Sequence, residues 1–271
     1  MGKLRVGKRN LQLLEVVEKD KDIMIYMLTH KVPEYGLQDD EYHTPIHCGS
    51  ALSDKTVCSL RDDTGDNISE KNPWFLETTG IYWIWKNDNH QYKGQYQFRR
   101  RFDINPEMIP GILKEYDIIV PIPVYFVLSV YKHYERFHIQ SDLNLCYDII
   151  CERYPEYKDR FDDIIRNKNV LYYSNGFITT KEKYDEMCSF VFDVLFEYEK
   201  KMGLKTKEEW VEHGKKKDRS LNSHKDEMSD AEYQSRVCGY LSERLFTLYI
   251  ISNFDKRYHV RYHLMEKNMY C

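Results

Sequence analysis

The chain has 271 residues, of which 42% are hydrophobic and 31% are charged. That length and hydrophobic content are enough for one sizeable core, so a single domain is the simplest expectation. Because 40 Lys and Arg residues nearly balance 44 Asp and Glu residues, the formal charge is only -4, and composition gives no electrostatic reason to expect a nucleic-acid-binding protein.

The first half of the chain alternates strand and helix patterns. The apolar run 23–28 predicts a buried strand that ends in Thr29, His30 and Lys31. Ligands of open α/β sheets gather at the carboxyl end of the first strand, so this strand exit is a candidate wall of a binding site. Aromatic spacing and alternation then predict a helix over 73–87 and strands over 91–102 and 116–121.

The second half is mainly helical by pattern. Apolar residues recur at helical spacing over 127–154, 155–166, 180–202 and 231–253. A strand predicted over 170–178 is interrupted by Asn175 and Gly176, and the highly charged segment 203–230 is typical of a linker. These patterns predict one mixed α/β domain whose second half supplies a helical cover.

Acidic and amide side chains are concentrated in segment 62–69, which reads DDTGDNIS. Three carboxylates around a glycine can hold a cation, or accept hydrogen bonds from the hydroxyls of a ribose or another sugar. The spacing does not match an EF-hand. The alternative is an ordinary turn rich in Asp and Asn.

A cluster of three arginines follows the strand predicted over 91–102: Arg99, Arg100 and Arg101. Strand alternation would place Arg99 and Arg101 on one face and Arg100 on the other. A guanidinium binds phosphate through two parallel hydrogen bonds and keeps its charge at any working pH, so this cluster could hold a diphosphate. The alternative is a solvated basic edge of the sheet.

The last predicted helix carries charged residues among apolar ones. Helical spacing brings Arg236 and Glu243 to one face, with Arg244 beside them. Burying Glu243 is costly unless it is paired, which favours an internal Glu–Arg ion pair. The functional alternative is that Glu243 contacts a sugar hydroxyl or acts as a base.

Most of the common metal-binding and catalytic motifs are absent from the sequence. His30, His47, His133 and His138 lie in segments that could face a cleft, but no HxH, HExxH or CxxC arrangement supports a dedicated metal site. The absence of GxGxxG, P-loop and GxSxG motifs removes the usual sequence support for a dehydrogenase, a P-loop NTPase or a serine hydrolase.

The cysteines and the apolar runs bear on the compartment. Seven scattered cysteines are typical of reduced thiols in a cytoplasmic protein. The basic start of the chain lacks the apolar stretch of a signal peptide, and no uncharged apolar run reaches the roughly 18 residues that span a bilayer. We therefore expect a cytoplasmic protein, with attachment to the inner face of the membrane left open.

Several long motifs, taken together, resemble a bacterial family first named as a domain of unknown function. The matching segments are DDTGDNISEKNPWFLETTGIYWIWKN, YKGQYQFRRRF, YDIIVP, YKHYERFHIQSDL, YSNGFI and RVCGYLSERL. The family occurs in capsule, exopolysaccharide and O-antigen gene clusters and is assigned to glycosyltransferases. The resemblance runs from about Ile23 to about Asn253.

The resemblance implies a GT-A-like α/β fold with a nucleotide-sugar donor, commonly UDP-linked galactose or galactofuranose, and a glycan or lipid-linked glycan acceptor. It implies a nucleotide-sugar half over about 23–125 and a helical acceptor-side half over about 126–253. An N-terminal extension over 1–22 and a tail over 254–271 flank this single domain.

This implied reaction assigns roles to the candidate residues. Thr29, His30 and Lys31 meet the nucleotide and its phosphates, and Arg99 and Arg100 hold the diphosphate. The residues expected to bind or support the ribose or the donor sugar are Asp63, Asp66, Asn67, Glu77 and Asn175. By residue type, the candidates for the base that deprotonates the acceptor are Asp117, His133 and Glu243.

The chain departs from the family at one informative place. The family usually has His-Tyr-Arg-Arg-Tyr where this chain has Gln97-Phe98-Arg99-Arg100-Arg101. GT-A enzymes normally carry here an Asp-x-Asp motif that binds a metal ion on the donor diphosphate. Our hypothesis is that Arg99 and Arg100 neutralise part of the charge on the departing diphosphate, with a Mn or Mg cofactor left open.

Two other classes of protein remain as alternatives. A nucleotidyltransferase or sugar-nucleotide hydrolase could use the same carboxylates and arginines, and would consume donor without an acceptor. A noncatalytic glycan-binding component of a capsule assembly complex could use the many aromatic residues, 23 Tyr and 12 Phe, for binding alone.

Overall fold

The computed structural model describes residues 22–217 and 230–265. Its strands, in chain order, are β1 (Ile23–Thr29), β2 (His43–His47), β3 (Leu60–Arg61), β4 (Tyr92–Gln97), β5 (Arg100–Phe102), β6 (Ile118–Pro121), β7 (Val124–Tyr125), β8 (Val170–Leu171), β9 (Phe177–Thr180), β10 (Arg257–Val260) and β11 (Tyr262–Leu264).

The helices are α1 (Asn72–Phe75), α2 (Thr78–Asn87), α3 (Ile109–Leu113), α4 (Val130–Phe137), α5 (Gln140–Arg153), α6 (Lys158–Phe161), α7 (Lys181–Met202), α8 (Lys207–Gly214), α9 (Ala231–Gln234) and α10 (Val237–Asn253). A π-helical turn, Asp162–Asn167, continues α6.

A seven-stranded sheet in the order β10-β6-β9-β4-β1-β2-β3 forms the centre of the fold. Its neighbouring strands pair in parallel, except that β9 runs antiparallel to both β4 and β6. The carboxyl ends of β1, β2, β3, β4 and β6 therefore meet at one edge of the sheet. The turn that leads into β9 lies at the same edge, which we call the carboxyl edge.

The alternation of β1 divides the core between the two faces of the sheet. Ile25 and Met27 lie in one buried cluster, whereas Tyr26 and Leu28 lie in the larger one on the other face. The larger cluster also contains buried residues of α7 and α10. A strand with both faces covered reads as a continuous apolar run, which explains why the strand predicted over 23–28 is confirmed.

The helix predicted over 73–87 is interrupted at Leu76, which has a positive φ of 54°. The side-chain amide of Asn72 donates to the Leu76 carbonyl at 2.8 Å and satisfies the end of α1. Leu76 then packs on α10, where a Cβ added to Gly239 would lie 2.6 Å from Leu76 Cδ1. The interruption places Glu77 immediately before α2.

Other predicted elements are also divided. The strand expected over 91–102 becomes β4 and β5, because the chain turns at Phe98 and Arg99 and β5 pairs with β11 instead of the main sheet. The helix expected over 127–154 becomes α4 and α5, and the helix expected over 231–253 becomes α9 and α10.

The charged segment predicted as a linker contains more structure than expected. Helix α8 lies within the expected linker 203–230, and it begins with a capping box in which Thr206 and Glu209 bond each other's backbone amides. Residues 218–229 of that linker lie outside the described residues. Strand β10, within the expected tail, is one of the two edge strands of the main sheet.

Candidate functional site

Cationic side chains from two strand exits gather on the ring of Phe98 at the carboxyl edge. The Lys31 Nζ lies 5.2 Å and the Arg99 Cζ 4.9 Å from the centre of this ring. The His30 ring approaches the same ring edge-on at 5.3 Å. Phe98 itself is 1% exposed, so it is a rigid support that connects the exit of β1 with the exit of β4.

The potential around this cluster is positive. Burial lowers the pKa of His30, and the charges of Arg99, Lys31, Arg236 and His47 lower it further. Arg236 comes from the connection between α9 and α10, so a third part of the chain contributes to the cluster. Several cationic groups held near one another at a strand edge can bind a polyanion such as a diphosphate.

Arg100 is buried and is held by several protein groups. It is 9% exposed, its Nη1 donates to Gln97 Oε1 at 3.3 Å and to the Ser174 hydroxyl, and its Cζ lies 4.8 Å from the centre of the Tyr173 ring. Gln97 therefore acts here as a partner of Arg100. The guanidinium of Arg100 is fixed by protein atoms, whereas Arg99 is partly exposed.

The turn before β9 is strained, and side-chain hydrogen bonds hold it in place. Ser174 and Asn175 have positive φ values of 70° and 52°, which are uncommon for residues other than glycine. The Ser174 N–H donates to Glu243 Oε1 at 2.8 Å, and the Asn175 amide donates to the Ser242 hydroxyl at 2.9 Å. Such strain persists only where surrounding contacts enforce it, and it is concentrated at functional sites.

Glu243 forms the predicted ion pair, because its Oε2 accepts from Arg244 Nη1 at 2.8 Å. Both of its oxygens are therefore used by the protein, one by Arg244 and one by the Ser174 backbone. Burial raises the pKa of Glu243, and the charges of Arg244 and Arg100 with the Ser174 hydrogen bond oppose this rise.

Glu77 is the second carboxylate of the site. Burial raises its pKa to about 7, and the nearby charge of Glu243 adds to this rise, whereas its own backbone N–H, Arg100 and Arg99 oppose it. Glu77 is nevertheless partly exposed to solvent at the carboxyl edge. A partly exposed carboxyl group between arginines and a second carboxylate is a candidate functional group.

Asp62 is fully buried and accepts hydrogen bonds that join three segments of the chain. Its partners are the Gly49 N–H at 2.8 Å, the Ser50 N–H at 3.0 Å, the Ser50 hydroxyl at 2.9 Å and the Ser69 hydroxyl at 2.5 Å. Asp62 therefore supports the loops at the ends of β2 and β3, and it does not face the cleft.

The other residues of the acidic segment lie in two places. Asp63 pairs with Arg61 at 2.6 Å, and both charges act on His47, so Asp63 remains beside the site. Asp66 accepts from the Tyr82 hydroxyl at 3.0 Å, and Asn67 bonds its own loop. This part of the loop packs on the end of α2, away from the cation cluster, because α2 runs back towards the start of β4.

Two predicted bases are not brought to this cluster. Asp117 comes just before β6, at the opposite edge of the sheet, where it pairs with Lys183 at 2.7 Å. His133 stacks on Phe126 at 3.7 Å within the helical layer, where burial and the charges of Arg244 and Arg136 lower its pKa to about 4. Thr29 is 2% exposed, and its hydroxyl bonds the Lys31 backbone.

The sequence analysis assigned no binding or catalytic role to four residues that the structure places at the site: His47, Tyr173, Ser174 and Arg236. His47 ends β2 and is 2% exposed, and its Nδ1 has no hydrogen-bond partner among the described residues. The available signal for His47 was its place among the four histidines in segments that could face a cleft. Arg236 had the helical spacing to Glu243 as its signal.

A separate cavity of about 680 Å³ shares no lining residue with this cluster. It is lined by Trp74, Lys71, Leu204 and neighbouring residues at the end of α7. Both Trp74 Nε1 and Lys71 Nζ already donate to Glu199, so these three polar groups of the cavity satisfy one another. The open edge with the cations therefore remains the better candidate site.

Within residues 22–217 and 230–265, no group of three or more His, Cys, Asp or Glu side chains could hold a metal ion. None of the helices described there is both long enough and apolar enough to cross a bilayer.

The fold and the site together define an α/β protein with a candidate site at the carboxyl edge of its sheet. A similar solved structure is the apo form of WbbM, a bifunctional glycosyltransferase. It has a TM-score of 0.71 and 24% identity, and the match covers 92% of this chain and 46% of that chain. This chain therefore spans about half the length of that protein. The similarity shows a GT-A-like fold, as predicted.

A family model described as "Domain of unknown function (DUF4422)" matches residues 24–212, which is more than half of the chain. The chain therefore belongs to this family. The comparison with curated proteins gives no match.

Proposed function

We propose that this chain is a glycosyltransferase that moves a hexose, galactose or galactofuranose, from a UDP-sugar to a glycan acceptor in the synthesis of a surface polysaccharide. One observation carries the proposal: His30, Lys31, Arg99 and Arg236 converge from three parts of the chain at the carboxyl edge of a GT-A-like sheet. A donor diphosphate is the ligand that this arrangement suits.

The groups at the site divide the work of this reaction. Arg99 and Lys31 stabilise the charge that develops on the departing diphosphate, and the positive potential at His30 favours the same charge. Arg100, fixed by Gln97 and Ser174, holds the strained turn that faces the donor sugar. Because these cations are part of the protein, their contribution needs no divalent ion.

A panel of nucleotide sugars, assayed for release of nucleoside diphosphate with and without a galactoside acceptor, tests this proposal. We expect acceptor-dependent release from UDP-galactose or UDP-galactofuranose, and rates that EDTA leaves unchanged. Activity that a chelator abolishes and only manganese restores would contradict the role given to the arginines. Release of nucleoside diphosphate at the same rate with and without acceptor would identify a sugar-nucleotide hydrolase instead.

A lipid-linked acceptor at a membrane surface is supported by an exposed apolar segment beside the site. Residues 118–131 contain no charged side chain, and Ile122, Tyr125 and Val127 are 55%, 69% and 102% exposed. This segment follows the carboxyl end of β6. A protruding, uncharged apolar surface suits insertion into the headgroup boundary of a bilayer, where Tyr is also favoured.

Substituting Val127→Asp should reduce co-sedimentation with phosphatidylcholine vesicles, because a charge at the exposed tip opposes insertion. Val32→Asp is the matched control, since Val32 is also exposed, at 57%, but lies at the exit of β1. Equal vesicle binding by wild type and Val127→Asp would remove the proposed membrane contact.

A further inference from the structure

Glu77 and Glu243 are the two carboxylates beside Arg99 and Arg100, and the protein uses them differently. The oxygens of Glu243 accept from the Ser174 N–H and from Arg244 Nη1, both at 2.8 Å. Glu77 has no such contacts with other side chains among the described residues, and its carboxyl group interacts locally with its own backbone N–H. Only Glu77 is therefore free to exchange a proton with a bound substrate.

The local fold places Glu77 where a substrate can reach it. The left-handed conformation of Leu76 ends α1 and starts α2 at the carboxyl edge, with Glu77 between them. Cys48 directly follows β2, and its Sγ lies 4.0 Å from the backbone carbonyl oxygen of Glu77. Glu77 thus lies in the line of strand exits that forms the donor site, and it is partly exposed there.

We propose that the Glu77 carboxylate accepts the proton of the acceptor hydroxyl during glycosyl transfer, an inference that rests on the function proposed above. The acceptor oxygen forms a bond to the anomeric carbon while the bond from that carbon to the diphosphate oxygen breaks. The electron pair leaves with the nucleoside diphosphate, towards Arg99. The hydroxyl proton passes to Glu77 and then to solvent. This single displacement inverts the anomeric configuration.

The charges that face Glu77 fit this role. Glu243 on α10 favours the protonated form of Glu77, while Arg99 in the turn after β4 and Arg100 at the start of β5 favour the carboxylate. The buried Cys48 thiol is neutral because its own pKa is raised by burial. With a pKa of about 7, Glu77 would be ionised in a substantial fraction of molecules at neutral pH and would still bind a proton well.

The carboxyl group can be observed directly by NMR in protein labelled with [δ-13C]glutamate. The resonance missing from Glu77→Gln belongs to Glu77, and we expect it to titrate with a midpoint of about 7. A midpoint near the ordinary value for glutamate, about 4.3, would overturn the proposal. This readout needs no substrate, so it stands even if no nucleotide sugar is turned over and the proposed function fails.

Turnover provides the second readout. Glu77→Gln should lower kcat about 100-fold or more and abolish its rise with pH through the same midpoint, while affinity for UDP is kept. Glu70→Gln is the matched control, since Glu70 is exposed and lines the separate cavity. Wild-type kcat in Glu77→Gln, lost UDP binding in that variant, or a product that retains the donor's anomeric configuration would each overturn the inference.

Stability gives a third, independent readout. The pKa of Glu77 is higher in the folded protein than in the unfolded chain, so the carboxylate destabilises the fold as pH rises from about 4.3 through about 7. Glu77→Gln should therefore have a higher Tm than wild type at pH 8 and an equal Tm at pH 4. A lower Tm at pH 8 would contradict the placement of Glu77 in a desolvated site.

Discussion

Replacing Arg99 with alanine is expected to lower kcat/KM for the donor sugar nucleotide about 100-fold, the usual effect of removing one charge-stabilising group from a transition state. The guanidinium of Arg99 lies over the Phe98 ring and is partly exposed, so loss of this side chain should leave the fold intact. Steady-state kinetics with varied donor concentration measures kcat/KM, and circular dichroism tests whether the fold is intact.

Arg101→Ala is the control for this prediction, because Arg101 is two positions along the chain, carries the same charge and is exposed on β5. It should retain nearly the wild-type kcat/KM. Arg99→Lys keeps the charge but loses the planar pair of donors. Its kcat/KM should therefore lie between the values for Arg99→Ala and Arg101→Ala. Equal activity of the Arg99→Ala and Arg101→Ala variants would remove Arg99 from the diphosphate site.

The largest expected effect on stability comes from Asp62→Ala. This change leaves the buried donors of Gly49, Ser50 and Ser69 without their acceptor, and we expect the free energy of unfolding to fall by about 3 kcal/mol or more. Urea denaturation followed by fluorescence measures this loss.

The neighbouring Asp63→Ala provides the matched comparison. Its ion pair with Arg61 is partly exposed, with 23% of the Asp63 side chain and 32% of the Arg61 side chain accessible. Pairs of this kind contribute about 1 kcal/mol or less. If both variants lost the same free energy of unfolding, Asp62 would not be the buried support that joins the loops after β2 and β3.

Strands β1 and β6 could be predicted because a continuous apolar run indicates burial on both faces, whereas no strand was predicted at β2 or β3. Residues 23–28 and 118–121 are apolar throughout, as strands covered on both faces are. Element breaks were harder to predict. Leu76 adopts a positive φ that its residue type disfavours, and the cause is its packing on Gly239, far along the chain. Local propensity contains no information about such a contact.

The same limit applies to the candidate site. Charge and strand position identified Arg99, Arg100, His30 and Lys31, and the structure brings all four together at one edge. Asp66 was predicted by residue type alone, and the course of its loop directs it to Tyr82 instead. Arg236 was missed as a partner of His30, because their proximity depends on how α10 packs against the sheet.

A distinction between Glu77 and Glu243 also needed three-dimensional information. Both are glutamates next to apolar helical segments. The sequence favoured an ion pair for Glu243 and offered it, with Asp117 and His133, only as one of three candidate bases. The structure assigns both oxygens of Glu243 to protein donors, one of which is the backbone of the strained turn at Ser174. Such a non-local hydrogen bond leaves no trace in the spacing of residues.

In the proposed function, cations at the carboxyl edge hold the diphosphate of a nucleotide sugar. A crystal structure with UDP-galactose bound tests it most directly. We predict phosphate oxygens within about 3 Å of the Arg99 guanidinium, with Lys31 on the same group and the sugar directed towards Glu77. A nucleotide bound elsewhere, with Arg99 and Lys31 facing solvent, would contradict the account.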